Sequence, residues 1–464
     1  MSMKYLSLLA LVSLPLYGAI SPGIVRESAL KHHPSVHAAI ERLHAGESAV
    51  VGARGAFDAK IVSDYKRQTK SDHNTTLSRT QLEKPLRIAN SKIYAGAEQI
   101  SNPAGFLAPI YHTGNPTTQT GNYTLVGLKL SLWRNLTLDP DRAALRNAKL
   151  GATIARAEKH LTDWEIARLS ELAYWEWVTA TKVKKIYETL LANGLTRNDY
   201  LLARSKKGDV ANILVTENEQ YVANRKGALQ AAQERLLRAE YGLALFYRDN
   251  DGNPVVPGAE EAYEDYPEDL TGELNGLDLM TEVDELMGRR PDLKNLALTV
   301  AKLETDLEIA KQDLRPRLDV TTEYFKRTVD NRSQMPLDYL MVMAQVSVPI
   351  ERNLGLGNIA AARARKTAAE KQVLLRRQTY GFEVAALRRA LKLRLEQVAQ
   401  TKIEFAKARE LVDAEILKFQ TGGGNLFLVN LREQAQANAE ASFHEARLMF
   451  MNTLLDYRTL VRTE

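Results

Sequence analysis

The sequence predicts a mainly α protein with a small membrane β-barrel, assembled from duplicated strand and helix-hairpin repeats. Three observations carry this. Two expected helices are far longer than a globular core can use, amphipathic strand pairs lie between helices, and the same plan occurs twice.

The longest helix is expected from roughly Gly355 to Gln420. Its apolar residues Val384, Leu387, Leu391, Leu395, Val398, Phe405, Val412, Ile416 and Phe419 recur in steps of three, four and seven. That is the 3.5-residue stripe of a coiled coil. Alanines at Ala360, Ala361, Ala362, Ala364, Ala368 and Ala369 favour helix and let neighbours approach closely. At 1.5 Å per residue, ~66 residues make a rod on the order of 100 Å, which needs partners along its whole length. Thr421-Gly422-Gly423-Gly424 ends it, and a second helix returns from about Leu426 to Thr459.

A chain of 464 residues has room for two or three domains, and 26% charged with 45% hydrophobic residues is the balance of a folded protein. Cysteine is absent, which excludes disulfides, thiolate metal sites, cysteine nucleophiles and a lipid-modified N-terminal cysteine. The net charge is +5, but Lys and Arg alternate with Asp and Glu along the helices. That pattern is a solvated, ion-paired helix surface and not a nucleic-acid interface. Lys4 followed by the apolar stretch Leu6 to Leu16 reads as a signal peptide over residues 1–19, with cleavage near Gly18 or Ala19. No later stretch approaches ~20 consecutive apolar residues, so export without a helical membrane anchor is expected.

The repeats are expected at residues 20–248 and 281–464, joined by a linker at 249–280. Pro34 and Pro291 each open an amphipathic helix, where a missing N–H is harmless. With these prolines aligned, Glu47 falls on Glu304, Ser48 on Thr305 and Arg54 on Lys311. A strand follows each helix, Ala59 to Arg67 and Arg317 to Lys326. Further strands alternate, with Val126, Leu128, Leu130 and Leu132 matched by Val342, Ala344, Val346 and Val348. Period two with one apolar face places a strand between an apolar and a polar environment. Tyr123, Tyr339 and Trp133 lie at strand ends, which suits a membrane interface and equally the edge of a soluble sandwich. A long helix then runs from Asp141 to about Lys206, paralleling the one from Gly355. The returning helices carry the sharpest match, Glu219-Gln220-Tyr221-Val222-Ala223-Asn224 against Glu433-Gln434-Ala435-Gln436-Ala437-Asn438. This is an internal duplication. The linker is rich in Pro, Gly and acid and should form an extended, solvated belt.

Between their strands the halves differ. Thr328 to Asp338 is a loop of about eleven residues, whereas Gln68 to Asn122 spans about fifty-five and is read as one external insertion. It contains Asn102-Pro103-Ala104-Gly105, Gly114-Asn115-Pro116 and a possible extra strand or hairpin around Leu86 to Ile100. Four clear strands cannot close a membrane barrel, since such barrels begin at eight, so several copies must contribute. Three copies would give twelve.

With Arg289-Arg290-Pro291-Asp292-Leu293, the Ala310 to Leu318 approach to a strand and the paired glycine-turn hairpins, the chain resembles the TolC-like outer membrane efflux proteins. The resemblance covers essentially the whole mature length. It implies a homotrimeric channel with a shared β-barrel among outer membrane lipids and a helical tunnel in the periplasm. Such channels are passive exit ducts of tripartite efflux or type I secretion, without catalytic activity or cofactor. Their partners are a periplasmic adaptor and an inner-membrane transporter of RND or ABC type. The resemblance makes Lys207, Gly208, Asp209, Gly422, Gly423, Gly424 and Asn425 the periplasmic tips that meet the adaptor. In many relatives acidic residues beyond the second tip form constricting rings. Counted from Gly422, the comparable positions are Leu428 and Leu431, both apolar, with Asn430, Arg432 and Glu433 beside them as further gate candidates. A carboxylate ring and an apolar constriction that dewets are both open.

His33, His37 and His44 share a helical face, but Pro34 interrupts it and no carboxylate stands at a metal-site spacing. Gly422-Gly423-Gly424 lacks the Gly-Lys-Ser/Thr of a phosphate cradle and reads as a hinge. Asn74-Thr75-Thr76 and Asn135-Leu136-Thr137 are sequons only in a glycosylating host. The alternative reading is a soluble periplasmic coiled-coil adaptor or scaffold, which leaves the duplicated strand pairs unexplained. No catalytic, metal or nucleotide constellation supports an enzyme.

Overall fold

The computed structural model describes residues 19–70, 73–101, 121–258, 261–275, 283–328 and 338–461. The expected signal segment up to Gly18, the motifs around Asn102 and Asn115, and the tip of the Thr328 to Asp338 loop lie outside the described residues. In chain order the elements are α1 (Pro22–His32), α2 (Pro34–Arg54), a 3-10 turn (Gly55–Phe57), β1 (Lys60–Lys70), β2 (His73–Pro85), β3 (Lys92–Ser101) and β4 (Gly121–Ser131). Then come α3 (Pro140–Lys206), α4 (Asn212–Ala244), α5 (Leu270–Asn275), α6 (Val283–Arg289) and α7 (Pro291–Gln312). The chain finishes with β5 (Arg317–Thr328), β6 (Asp338–Ser347), α8 (Asn353–Gln420) and α9 (Leu426–Val461).

The long helices have 67 and 68 residues, close to the lengths read from the coiled-coil stripe. Pro34 and Pro291 each open a helix as expected, and Pro140 opens α3 one residue ahead of the expected Asp141. Before Pro140, Asp139 accepts from the Arg142 backbone N–H at 2.8 Å and pairs with its guanidinium at 2.5 Å, capping the helix start.

The chain divides into two compact units. One comprises Met1–Ile40, Lys159–Pro291 and Arg377–Glu464. Its core gathers Tyr174, Trp175, Trp177, Tyr380, Leu391, Phe450, Leu454 and Tyr457, all buried. Asp251, Glu261, Glu264, Asp265, Glu268 and Asp269 of the linker are exposed, but its tyrosines are packed into the core, so the expected solvated belt is anchored. Trp175 stacks on Tyr266 with centroids 4.7 Å apart, and Arg447 covers the same tyrosine at 4.4 Å. Ile20 locks the start of the described chain onto this belt, its N–H donating to Ala262 at 2.8 Å and its carbonyl accepting from Glu264 at 2.9 Å. Like-charge repulsion among the acids is too weak in water to oppose this aromatic burial.

The other unit comprises Glu41–Glu158 and Asp292–Arg376 and contains the sheet. The repeat is visible in its helices. Glu47 pairs with Arg156 at 2.8 Å, and the aligned Glu304 pairs with Lys366 at 3.2 Å, each on the following long helix. The sheet is antiparallel with six strands in the order β1-β2-β3-β4-β5-β6. This corrects the expectation of four strands and one external loop. Gln68 to Asn122 holds β2 and β3; the possible extra strand around Leu86 to Ile100 is present as β3, and the turn joining it to β2 is Leu86 to Ser91. That turn lies at the helical end of the strands: the Ser131 N–H donates to the Ala89 carbonyl at 3.0 Å, and Arg87 covers Phe57 at 5.4 Å.

Candidate functional site

Alternation gives the sheet two unlike faces. One row crosses all six strands in register, Ile61, Leu82, Ala95, Val126, Tyr324 and Leu340. It is apolar and open, with Ile61 75%, Val126 59% and Leu340 64% exposed. The opposite face carries Arg79, Gln81, Glu83, Glu98, Asp319 and Glu323. There Arg79 reaches Glu323 at 2.5 Å, Tyr94 donates to Glu323 at 2.6 Å and Lys92 pairs with Glu83 at 2.7 Å. Leu77, Ile100, Tyr123, Leu125 and Phe325 share this second face and form a buried cluster beside the charges. An exposed apolar row backed by a face that carries paired charges suits hydrocarbon outside and water inside. Tyr123 and Tyr339 are corrected from an outer interface to this inner face, where their rings meet edge-on at 6.2 Å. Their odd-numbered phase sets them opposite Val126 and Leu340. Trp133 does stand exposed beyond β4. No described helix is long and apolar enough to cross a membrane.

The two expected tips are built alike. In the first, the Asp209 N–H donates to the Arg204 carbonyl at 3.0 Å; in the second, the Gly423 N–H donates to Lys418 at 3.0 Å. Gly208 and Gly422 both adopt φ of 83°, the left-handed residue this helix ending requires. Gly424 is needed for space, since a Cβ there would lie 2.6 Å from the Phe419 backbone nitrogen. The Asn425 side chain accepts from the Phe427 N–H at 3.0 Å and caps α9. Lys207, Gly208, Asp209, Gly422, Gly423 and Asn425 are exposed, and buried Leu201, Val215 and Leu426 pack the two hairpins together behind them.

The gate candidates separate by face. Leu428 and Leu431 are open, at 37% and 45% exposure, while Asn430 and Glu433 are buried and Arg432 is half-buried. Glu433 accepts from Arg197 on α3 at 2.5 and 2.9 Å and from Arg225 on α4 at 2.9 Å. Asn430 accepts from the same two guanidiniums at 2.6 and 3.2 Å. Arg225 also donates to the Leu190 carbonyl at 3.0 Å, and burial holds its guanidinium below ordinary arginine basicity against the pull of Glu433. Gly194 makes room, since a Cβ there would meet the Arg225 Nη1 at 2.9 Å. Neither arginine was singled out from the sequence. The signal was available: setting Gly208 on Gly422 puts Arg225 against Ala439, a buried charge with no counterpart in the repeat.

Of the histidines, His33 stacks on Phe246 at 5.4 Å and accepts from the Ser35 N–H, while His44 lies 3.7 Å from Glu41. Among the described residues no His, Cys, Asp and Glu cluster is arranged to hold a metal ion.

Long helical hairpins joined twice over to amphipathic strands make a fold that also occurs in solved structures of outer membrane channels. The same fold occurs in the CmeC outer membrane channel of Campylobacter jejuni, with 13% identity, TM-score 0.69, and coverage of 95% of this chain and 85% of that one. VceC of Vibrio cholerae matches at 16% identity and TM-score 0.67 over 95% of each chain. The open MtrE channel of Neisseria gonorrhoeae matches at 14% identity and TM-score 0.66, over 95% of this chain and 88% of that one. No protein-family model and no curated protein sequence matches the chain.

Proposed function

We propose that three copies of this chain form a passive channel across the outer membrane, continued into the periplasm by the paired helical hairpins. The observation that carries this is the six-stranded sheet, with an exposed apolar row across one face, paired charges on the other and, among the described residues, no partner strand at either edge. One chain cannot satisfy those edges in lipid, so copies must share a wall. The channel is an exit duct of an efflux or type I secretion system. Its tips at Lys207 to Asp209 and Gly422 to Asn425 are docking points for a periplasmic adaptor, behind which stands an inner-membrane transporter of RND or ABC type. Leu428 and Leu431, exposed just inside the second tip, are the gate residues we favour. The buried Arg197–Glu433–Arg225 cluster ties α3, α4 and α9 together beside them. A soluble periplasmic scaffold would use the helices but has no use for an exposed apolar sheet face. Mass measurement on protein extracted from outer membranes in detergent tests the proposal. Three copies are expected; a stable monomer that needs no detergent overturns it.

A further inference from the structure

The duplication leaves one part of the sheet over. β1 and β4 flank the first long loop region as β5 and β6 flank the second, but β2 and β3 have no counterpart in the second repeat. This hairpin is nevertheless woven into the wall. Each of its strands is paired on both sides, Thr80 with Ser63 and Ala97, and Ala95 with Leu82 and Val126. Glycines shape the bend. A Cβ on Gly96 would lie 2.2 Å from the Thr80 carbonyl oxygen, and one on Gly127 would enter the Tyr94 ring at 2.3 Å. Glycines at such points, one covered by an aromatic from the next strand, are devices that curve a sheet.

We propose that the membrane wall is an eighteen-stranded barrel, six strands from each of three copies, closed where β6 of one copy pairs with β1 of the next. The inference rests on the trimeric channel reading and adds the strand count and the seam. Among the described residues β1 pairs only with β2 and β6 only with β5, so each keeps one open row of backbone N–H and C=O groups. Lipid cannot satisfy such a row. Because each copy supplies an even number of strands, β1 and β6 run in opposite directions, so every seam is antiparallel and the ring closes without a mismatch. The faces also continue across the seam. Ile61 and Tyr65 on β1 and Leu340, Val342 and Val346 on β6 are exposed outer-face residues, so the apolar band is unbroken. Barrel diameter grows roughly linearly with strand number, so the wall would be about one and a half times as wide as one of twelve strands.

Because the chain has no native cysteine, engineered pairs test the seam cleanly. Ser63→Cys on β1 is combined in turn with Val342→Cys, Ala344→Cys and Val346→Cys on β6, and isolated outer membranes are oxidised. At least one combination should shift the monomer band to dimers and trimers that collapse on reduction. Within a copy, Ser63→Cys with Thr80→Cys should also couple, since these hydroxyls lie 2.9 Å apart across β1 and β2. Coupling of Ser63→Cys to Val126→Cys on β4 instead would mean that the hairpin stands outside a narrower wall. That result with a trimeric mass sinks the eighteen-strand barrel and leaves the channel reading intact. A detergent-free monomer sinks both.

Discussion

Arg225 on α4 and Glu433 on α9 meet at 2.9 Å with the arginine side chain fully buried, and Arg197 on α3 holds the other carboxylate oxygen at 2.5 Å. One carboxylate therefore holds two guanidiniums from two other helices in place. A buried pair of this kind adds little net stability over well-packed apolar residues, but breaking it strands a charge. Glu433→Ala should destabilise the tip region by ~3–5 kcal/mol, because two cations would lose their counter-ion. Hydrogen exchange should show faster opening around residues 190–200 and 425–435. Unaltered protection would show that the cluster carries no structural role.

The second tip allows a comparison within four residues. Gly422 has φ of 83° with open space around it, so Gly422→Ala pays only left-handed strain, ~1–2 kcal/mol. Gly424→Ala would drive a methyl group against the Phe419 backbone at 2.6 Å, which no side-chain rotation relieves. It should lose more, toward the upper end of the ~1–3 kcal/mol of overpacking, and should displace the start of α9. Thermal unfolding of the two variants in detergent would decide this; equal losses would refute the crowding argument.

Helix ends and the duplication were legible because proline, glycine and the coiled-coil stripe are local signals. β2 was not. Its inner face runs Leu77, Arg79, Gln81 and Glu83 and its outer face Ser78, Thr80 and Leu82, one apolar residue on each, so no apolar period of two marks it. Polarity on both faces is intelligible only once the neighbours that pair Arg79 and Glu83 are known. Position alone puts Tyr123 and Tyr339 at strand ends, whereas their phase against Val126 and Leu340 turns them inward. Glu219 and Glu433 are the same residue in the repeat, yet the first is exposed and the second buried. What separates them is Arg225, which the repeat does not duplicate.

Adjacent residues on β6 should respond oppositely to the same charge. Ala344 lies on the outer face with Val342 and Val346, and Gln345 on the inner face opposite Asp319. Ala344→Arg should cost up to ~2–4 kcal/mol in lipid, depending on depth, whereas Gln345→Arg should be nearly neutral. Folding titrations into liposomes would measure both. Equal costs would mean that the two faces are not lipid and water.

His444 supplies a pH dependence. Burial, with Lys182 and Arg447 adding repulsion and Asp265 opposing them, pushes its imidazole down from 6.5 to about 4. Glu440, one turn away, is shifted upward by its own burial. With a folded value below the unfolded one, His444 contributes stability that is complete above about 6.5. That contribution declines as pH falls toward about 4, because only the unfolded chain takes up the proton. His444→Gln should therefore remove part of the loss of stability between pH 7 and pH 5. Parallel denaturation curves for the two proteins at both pH values would contradict it.

The gate offers the sharpest functional prediction. If Leu428 lines the closed tip, threefold symmetry brings three apolar side chains together on the pore axis. Water in so narrow an apolar ring loses hydrogen bonds, so the pore empties and blocks ions without any fixed charge. Leu428→Asp would set three carboxylates at close range, where they repel one another or take up protons. Conductance in planar bilayers should rise, with cation selectivity and a dependence on pH that the parent channel lacks. Leu431 is also exposed, one turn's spacing further along α9, so Leu431→Asp should act similarly where its side chain shares the pore face. Glu433 is already committed to Arg197 and Arg225 inside the chain, so Glu433→Gln should change conductance by loosening α9 and not by removing a ring of charge. Its currents should accordingly keep the parent selectivity. Intact trimers with unchanged conductance in both leucine variants would make these leucines coiled-coil packing and nothing more.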